Sequence, residues 1–246
     1  MAGSGSPRGE VRVSQLTKRY GDVAALSDVS FSIREGEVLG LIGPNGSGKT
    51  TLFECIGGVL PLDGGAISRG GRPLTRAERA AALFYLPDAI APWPAQTVRW
   101  ALEYTLGLFD GRADWRDEVV RRLDLEPLLD KPIGTLSKGQ RKRALLAIGL
   151  LTPQPVLLAD EPFDGLDLRQ TRDVAQTLGW FASRGRTLFL SIHQIADAAR
   201  VCHRFVLLSS GRVRGEGTID ELTALARARS GDERTADLEE VFLALT

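Results

Sequence analysis

The order of apolar and polar positions divides the chain into three textures. Between residues 11 and 42 short spans alternate or run apolar, as in "VRVSQL", "VSFSI" and "EVLGLI", with charged punctuation such as "REGE". Period-two alternation predicts strands, and "EVLGLI", apolar on both faces, predicts a central buried one. Thr50 to Ile56 reads as helix, "LPLDGGAISRGGRPL" as a hairpin with turns, and "AALFYLP" as another buried strand. From about Asp88 to Leu136 the apolar spacing becomes helical, in "TVRWALEYTLGLF" and "DWRDEVVRRLDL", with Asp114 placed to cap the second helix. Strand patterns return in "PVLLAD", "TLFLSIH" and "RFVLLS", each preceded by helix-like sequence. This alternation predicts an α/β fold, a mostly parallel sheet with helices on its faces, interrupted by a helical insert. Near the end, Leu238, Val241, Phe242 and Leu245 fall at i, i+3, i+4 and i+7, one apolar helix face suited to docking on the body.

Composition narrows the function classes. A chain of 246 residues with 43% hydrophobic content suits one large domain or a core with an insert. Basic and acidic side chains balance at 31 each, so no global electrostatic case for a nucleic-acid partner arises. Cys55 and Cys202 lack metal-like spacing, and His193 and His203 complete no ligand set. Buried free thiols in a reducing compartment are the expectation. The opening "MAGSGSPRGE" reads as a flexible polar leader, not a signal peptide. The longest apolar run, Ala144 to Leu151, is too short to cross a bilayer. A cytosolic protein is expected, held at a membrane only by something else.

The chemistry concentrates at three places. Gly43 to Thr50, "GPNGSGKT", fits the P-loop pattern between a predicted strand and a predicted helix. Gly43, Gly46 and Gly48 let the backbone turn its N–H groups around phosphate oxygens, and the helix adds its positive end. Pro44, Asn45, Ser47 and Thr51 complete that loop; Lys49 reaches the β- and γ-phosphates of ATP, and the Thr50 hydroxyl is a Mg²⁺ ligand. "PVLLADEP" delivers two carboxylates at a buried strand's end: Asp160 to hold Mg²⁺, Glu161 to orient or deprotonate the attacking water. Ser137 to Gln140 fits a capping box opening an apolar helix, and a helix start bearing Gly139 also suits an anion. Both readings of that turn stand at this point.

Leu136 to Gln140, "LSKGQ", resembles the LSGGQ signature of the ATP-binding cassette (ABC) ATPases, with Lys138 standing in the glycine pair. The resemblance spans essentially the whole chain. Tyr20 in "KRYG" is similar to the aromatic that stacks on adenine, Gly43 to Thr51 to Walker A, and Val156 to Glu161 to Walker B. Asp164 to Asp167 in "FDGLD" is similar to the D-loop, and His193 in "SIHQ" to the switch histidine on the γ-phosphate. The resemblance implies a P-loop NTPase core with an N-terminal antiparallel β subdomain and an α-helical signature subdomain at about 89–150. Residues 11–228 would form the ATPase domain, 1–10 the leader and 229–246 a helical tail. It implies Lys49, Glu161 and His193 as catalytic, and ATP with Mg²⁺ as cofactors. Leu136, Ser137, Lys138, Gly139 and Gln140 would serve the ATP of a second chain in a head-to-tail dimer, with Asp167 beside them.

One position departs from the family. Asp88 stands where such cassettes carry a metal-touching glutamine. A carboxylate about 6 Å from another costs about 3 kcal/mol at an effective dielectric near 20, so the change is not silent. Asp88 either favours Mg²⁺ by contact with the metal or its water shell, or resists an incoming γ-phosphate and slows closure, or is a turn residue of a shifted loop. The nearby Pro92-Trp93-Pro94 is a stiff turn, suited to a partner's coupling helix or to ordinary packing. The partners implied are a separate multi-span membrane permease and a second cassette, as homodimer or heterodimer, on the cytoplasmic face of the membrane. The ending "LEEVFLALT" resembles ABC-2-type exporter cassettes, such as drug or haem efflux subunits, which tilts the direction to export. A soluble non-transport ABC ATPase of the assembly, repair or translation type is the alternative.

Overall fold

Alternation along the first strands builds a small antiparallel sheet. In the computed structural model, which describes residues 9–88, 90–109, 113–193, 195–230 and 238–245, β1 (Val11–Tyr20) turns through Gly21 and Asp22 into β2 (Val23–Ile33). Their register runs from Val11 opposite Ile33 to Tyr20 opposite Val23. Further along lie β3 (Val38–Ile42), α1 (Lys49–Ile56), β4 (Gly64–Arg69), β5 (Arg72–Pro73), α2 (Arg76–Ala82) and β6 (Leu83–Leu86). The helices α3 (Val98–Leu108), α4 (Ala113–Arg122) and α5 (Lys138–Leu151) follow, then β7 (Val156–Asp160), α6 (Leu168–Ala182) and β8 (Thr187–Ile192). The chain continues through α7 (Ile195–Val201), β9 (Arg204–Ser209), β10 (Arg212–Gly217), α8 (Ile219–Ser230) and α9 (Leu238–Leu245). The antiparallel sheet has order β2-β1-β4-β5 and the larger one β10-β9-β3-β8-β7-β6, parallel except for β10 at its edge.

The larger sheet is buried on both faces, which is why its strands read as continuous apolar runs. Alternate residues serve different cores. Val38 and Ile42 of β3 face the helices with Leu157, Leu188 and Leu190. Leu39 and Leu41 face the antiparallel sheet with Phe53 of α1 and Phe189 of β8. Phe189 is the hinge of that second core, its ring centroid 4.7 Å from Phe53 and 5.3 Å from Phe31. The P-loop and the acidic strand end are thereby set between two packed layers.

Helix α5 has no polar face over its second half: every residue from Lys142 to Leu151 is buried. An all-round apolar helix belongs inside a core, and here it runs between α3, α4 and the sheet. The C-terminal α9 docks as its spacing predicts, with Leu238, Val241 and Leu245 buried against the same core. The leader falls almost wholly outside the described residues, as does 231–237 of the tail. No helix among the described residues is long and apolar enough to cross a membrane.

Three expectations need correction, and one helix stands where none was expected. Asp114 lies inside the first turn of α4, which begins at Ala113, so it places negative charge near the helix's positive end instead of capping it. Ala81 and Ala82, read as strand, close α2, and β6 begins at Leu83. Helix α2 itself escaped the sequence reading, although Thr75 and Glu78 form a complete capping box. Of the two thiols Cys55 is buried, but Cys202 is only partly so.

Candidate functional site

The sheet's carboxyl edge is where an open α/β fold places ligands, and the first loop leaves β3 there. Gly46 and Gly48 take φ values of +80° and +104°, open to glycine at little cost. A Cβ at Gly43 would lie 2.3 Å from the Leu208 carbonyl oxygen, and one at Gly48 2.9 Å from that of Ala25. The loop is therefore pressed between β2 and β9 and only glycine fits. Gly48 caps α1 without any side-chain hydrogen bond, so first-turn amides remain available to an anion. The Lys49 ammonium donates to the Gly43 and Pro44 carbonyls at 2.8 and 3.4 Å. The buried Ser47 hydroxyl has no hydrogen-bond partner in the structure. These are the marks of a phosphate cradle, and a cavity of about 460 Å³ opens beside it, lined by Ala24, Asn45, Gly46, Thr51 and Glu161 among others.

Two carboxylates stand beside this cradle. The Thr50 hydroxyl donates to Asp160 Oδ2 at 3.0 Å, and the Ser191 hydroxyl donates to Asp160 Oδ1. A hydroxyl beside a carboxylate is a hard-oxygen set, and Mg²⁺ is held by one or two carboxylates plus phosphate oxygens. No group of three or more His, Cys, Asp or Glu side chains among the described residues offers a metal cage without phosphate. Glu161 follows at φ +52°, a left-handed conformation that costs a non-glycine residue of order 1 kcal/mol or more. Its N–H donates to the Ser191 carbonyl at 3.2 Å, and its carboxylate lies against His193 Nδ1 and 3.9 Å from Lys49 Nζ. Lys49, Glu161 and His193 thus form one contact chain. Burial, and then the Asp160 charge, push the Tyr85 hydroxyl well above its usual pKa. They raise the Glu54 carboxyl in the same order.

Tyr20 sits half-exposed at the end of β1, opposite Val23, which lines the cavity. The signature turn lies apart: no hydrogen bond or ion pair among the described residues joins Leu136 to Gln140 with Gly43 to Thr51. Ser137 caps α5, accepting from the Gln140 N–H at 3.3 Å while Gln140 Oε1 accepts from the Ser137 N–H at 3.1 Å. Lys138 Nζ meets Asp164 Oδ2 at 2.5 Å. That contact raises the lysine's pKa and lowers the aspartate's. Asp167 caps α6 through the Gln170 N–H at 2.8 Å. Leu136 is buried in the helical core.

Gly139 is also bare for a reason within its own chain. A Cβ there would fall 2.5 Å from the Gly165 carbonyl oxygen, so the missing side chain admits the D-loop of the same chain. Gly139→Ala is expected to lower the free energy of unfolding by about 1–3 kcal/mol through overpacking, measured by urea denaturation.

Asp88 lies in a turn just past the end of β6, as one of its readings expects. Its carboxylate pairs with Lys142 of α5, not with Thr50 or Asp160. Lys142 and Ser191 are the site neighbours that the sequence reading missed. Ser191 had a signal, a hydroxyl near the end of the apolar run "TLFLSI". Lys142 had none, because "KGQRKR" reads as a solvated charge run.

Known proteins resemble the chain over nearly all of this. The ABC transporter family model matches residues 26–164. A Nod factor export ATP-binding protein I of Paraburkholderia xenovorans is 33% identical over 225 residues, 89% of this chain and 74% of that protein. A putative ABC transporter ATP-binding protein of Treponema denticola is 31% identical, over 82% of this chain and 41% of that protein. The solved structure of an ATP-binding subunit of an ABC transporter superposes with a TM-score of 0.83 at 29% identity, covering 96% of this chain and 98% of its own. The fold that carries the glycine loop and the two carboxylates is therefore a shared one, and this chain belongs to the ABC transporter family as an ATP-binding subunit that hydrolyses ATP.

Proposed function

We propose that this subunit works as one half of a cassette pair, closing head to tail over ATP and Mg²⁺ to drive export through a separate multi-span permease. Residues 11–228 are the working ATPase domain, with the helical part at about 89–150 carrying the signature turn. Tyr20 stacks on adenine, the Gly43–Thr51 loop and Lys49 hold the phosphates, and Thr50 with Asp160 holds the cation. Glu161 takes the proton of the attacking water and His193 steadies the γ-phosphate. The observation that carries this reading is the placement of Glu161 between Lys49 and His193, one residue beyond the Thr50–Asp160 contact of 3.0 Å. Among the described residues Ser137 to Gln140 make no hydrogen bond or ion pair with their own P-loop, which supports their use on the ATP of a second chain, in a homodimer or with a related cassette.

The direction of transport rests on the relatives that are named Nod factor export ATP-binding proteins. The permease reading has a surface to itself. Trp93, Trp100 and Tyr104 form an exposed aromatic cluster, with Trp100 and Tyr104 stacked at 5.0 Å and Trp93 edge-on to both. Exposed aromatics anchor interfaces out of proportion to their number. The subunit then sits peripherally on the cytoplasmic face, held by that contact.

Two measurements test the reading. Asp160→Asn is expected to lower Mg²⁺-dependent ATP turnover by about a hundredfold, since charge stabilisation at the transferring phosphoryl group is a dominant catalytic contribution. Turnover within threefold of the parent overturns the metal assignment. Pull-down from detergent-extracted membranes is expected to recover a multi-span protein, and Trp93→Ala with Trp100→Ala to cut that recovery about tenfold. Unchanged recovery removes the aromatic cluster from the interface.

A further inference from the structure

Strands β6 and β7 are parallel neighbours with Leu86 opposite Ala159. Asp88 and Asp160 therefore leave the same sheet edge side by side, and two carboxylates so placed repel. The side chain that lies over both comes from a third element. Lys142 of α5 is 5% exposed, pairs with the Asp88 carboxylate, and donates to the Asp160 backbone carbonyl at 3.4 Å. The pair is unequal, because Asp88 is 36% exposed and has access to water. A buried ammonium that loses its counter-ion is strongly penalised. It is Lys142, then, that fixes Asp88, and not the reverse.

The placement has two consequences. Lys142 neutralises a carboxylate that would otherwise stand next to Asp160 and compete for the same cation. It also ties α5, whose first turn is Ser137 to Gln140, to the strand end that holds Asp160. We propose that Lys142 is a positioning residue for ATP hydrolysis, which withholds Asp88 from the metal and holds the end of β7 by its carbonyl. This rests on the assignment of Asp160 to the metal.

The experiment separates the two roles using ADP affinity with Mg²⁺ or with EDTA, read by calorimetry, alongside kcat and KM for ATP. In Lys142→Met the freed Asp88 charge is expected to raise the Mg²⁺ enhancement of ADP binding about threefold or more. The loosened strand end is expected to lower kcat about tenfold with little change in KM. Adding Asp88→Asn returns the Mg²⁺ enhancement to that of the parent while kcat stays about fivefold low or lower. The double variant carries no unpaired charge, so it serves should Lys142→Met fold poorly, and its kcat alone then decides. A fall in Tm with parental kcat and Mg²⁺ enhancement overturns the proposal, as does an enhancement that Asp88→Asn fails to reverse. Asp160→Asn keeps the outcomes apart: if it retains the Mg²⁺ enhancement, the metal assignment is what fails. If it loses the enhancement while Lys142→Met keeps it, only the role of Lys142 fails.

Discussion

Glu161→Gln is expected to reduce ATP turnover by about two to four orders of magnitude, the usual worth of a positioned general base. The substitution changes almost nothing else. Glutamine keeps the shape of the side chain, and the left-handed backbone at φ +52° is held by the N–H bonds to Ser191, which the substitution leaves in place. What it removes is the proton acceptor, together with a negative charge 3.9 Å from Lys49 and in contact with His193. In the proposed site that charge faces the γ-phosphate. ATP affinity should therefore hold or tighten while hydrolysis stops, and ATP-bound pairs of subunits should accumulate. Single-turnover phosphate release and size-exclusion chromatography in the presence of MgATP read the two effects separately. Phosphate release within about threefold of the parent would take Glu161 out of the role of base.

The same residue illustrates what a sequence can and cannot convey. A phosphate loop is legible because its geometry forbids substitutes: at Gly43 and Gly48 any Cβ meets a carbonyl oxygen closer than 3 Å, so the spacing is nearly a transcript of the backbone. The buried strands are legible for a related reason, since two packed faces demand two apolar sets. Asp160 and Glu161 could be placed at a strand end from "PVLLADEP", but the contact of Glu161 with Lys49 and His193 depends on a backbone turn that no neighbouring residue announces. Helix α2 was lost because seven short, alanine-rich residues carry too little periodicity, and only its capping box marked it. Lys142 was lost because burial is a property of the assembled core. A lysine and an aspartate 54 positions apart become partners only when α5 lies across the sheet edge. Gly139 shows the converse: the glycine is visible in the sequence, but the Gly165 carbonyl that fills the space beside it belongs to a loop distant in the chain.

The signature turn carries the second large effect. Lys49→Ala removes the ammonium that donates to the Gly43 and Pro44 carbonyls and that the proposed site sets against phosphate. Ser137→Arg places a long cation at the cap of α5 and removes the hydroxyl that accepts from the Gln140 N–H. Each variant alone is expected to hydrolyse ATP at about 1% of the parental rate or less, in line with loss of transition-state charge stabilisation. Mixed in equal amounts, they should recover. A composite site needs one P-loop and the other chain's signature, so every mixed pair holds one intact site and one doubly disabled site. Half the pairs are mixed, and the mixture should reach up to about a quarter of the parental rate if the two sites work independently. Recovery that falls on dilution in proportion to the fraction of mixed pairs, and vanishes when the chains are kept apart, is what a shared site requires. A mixture that stays at the sum of its parts, with both variants folded and still able to associate, would mean that Ser137 serves its own chain. The capping box on α5 would then be its whole role.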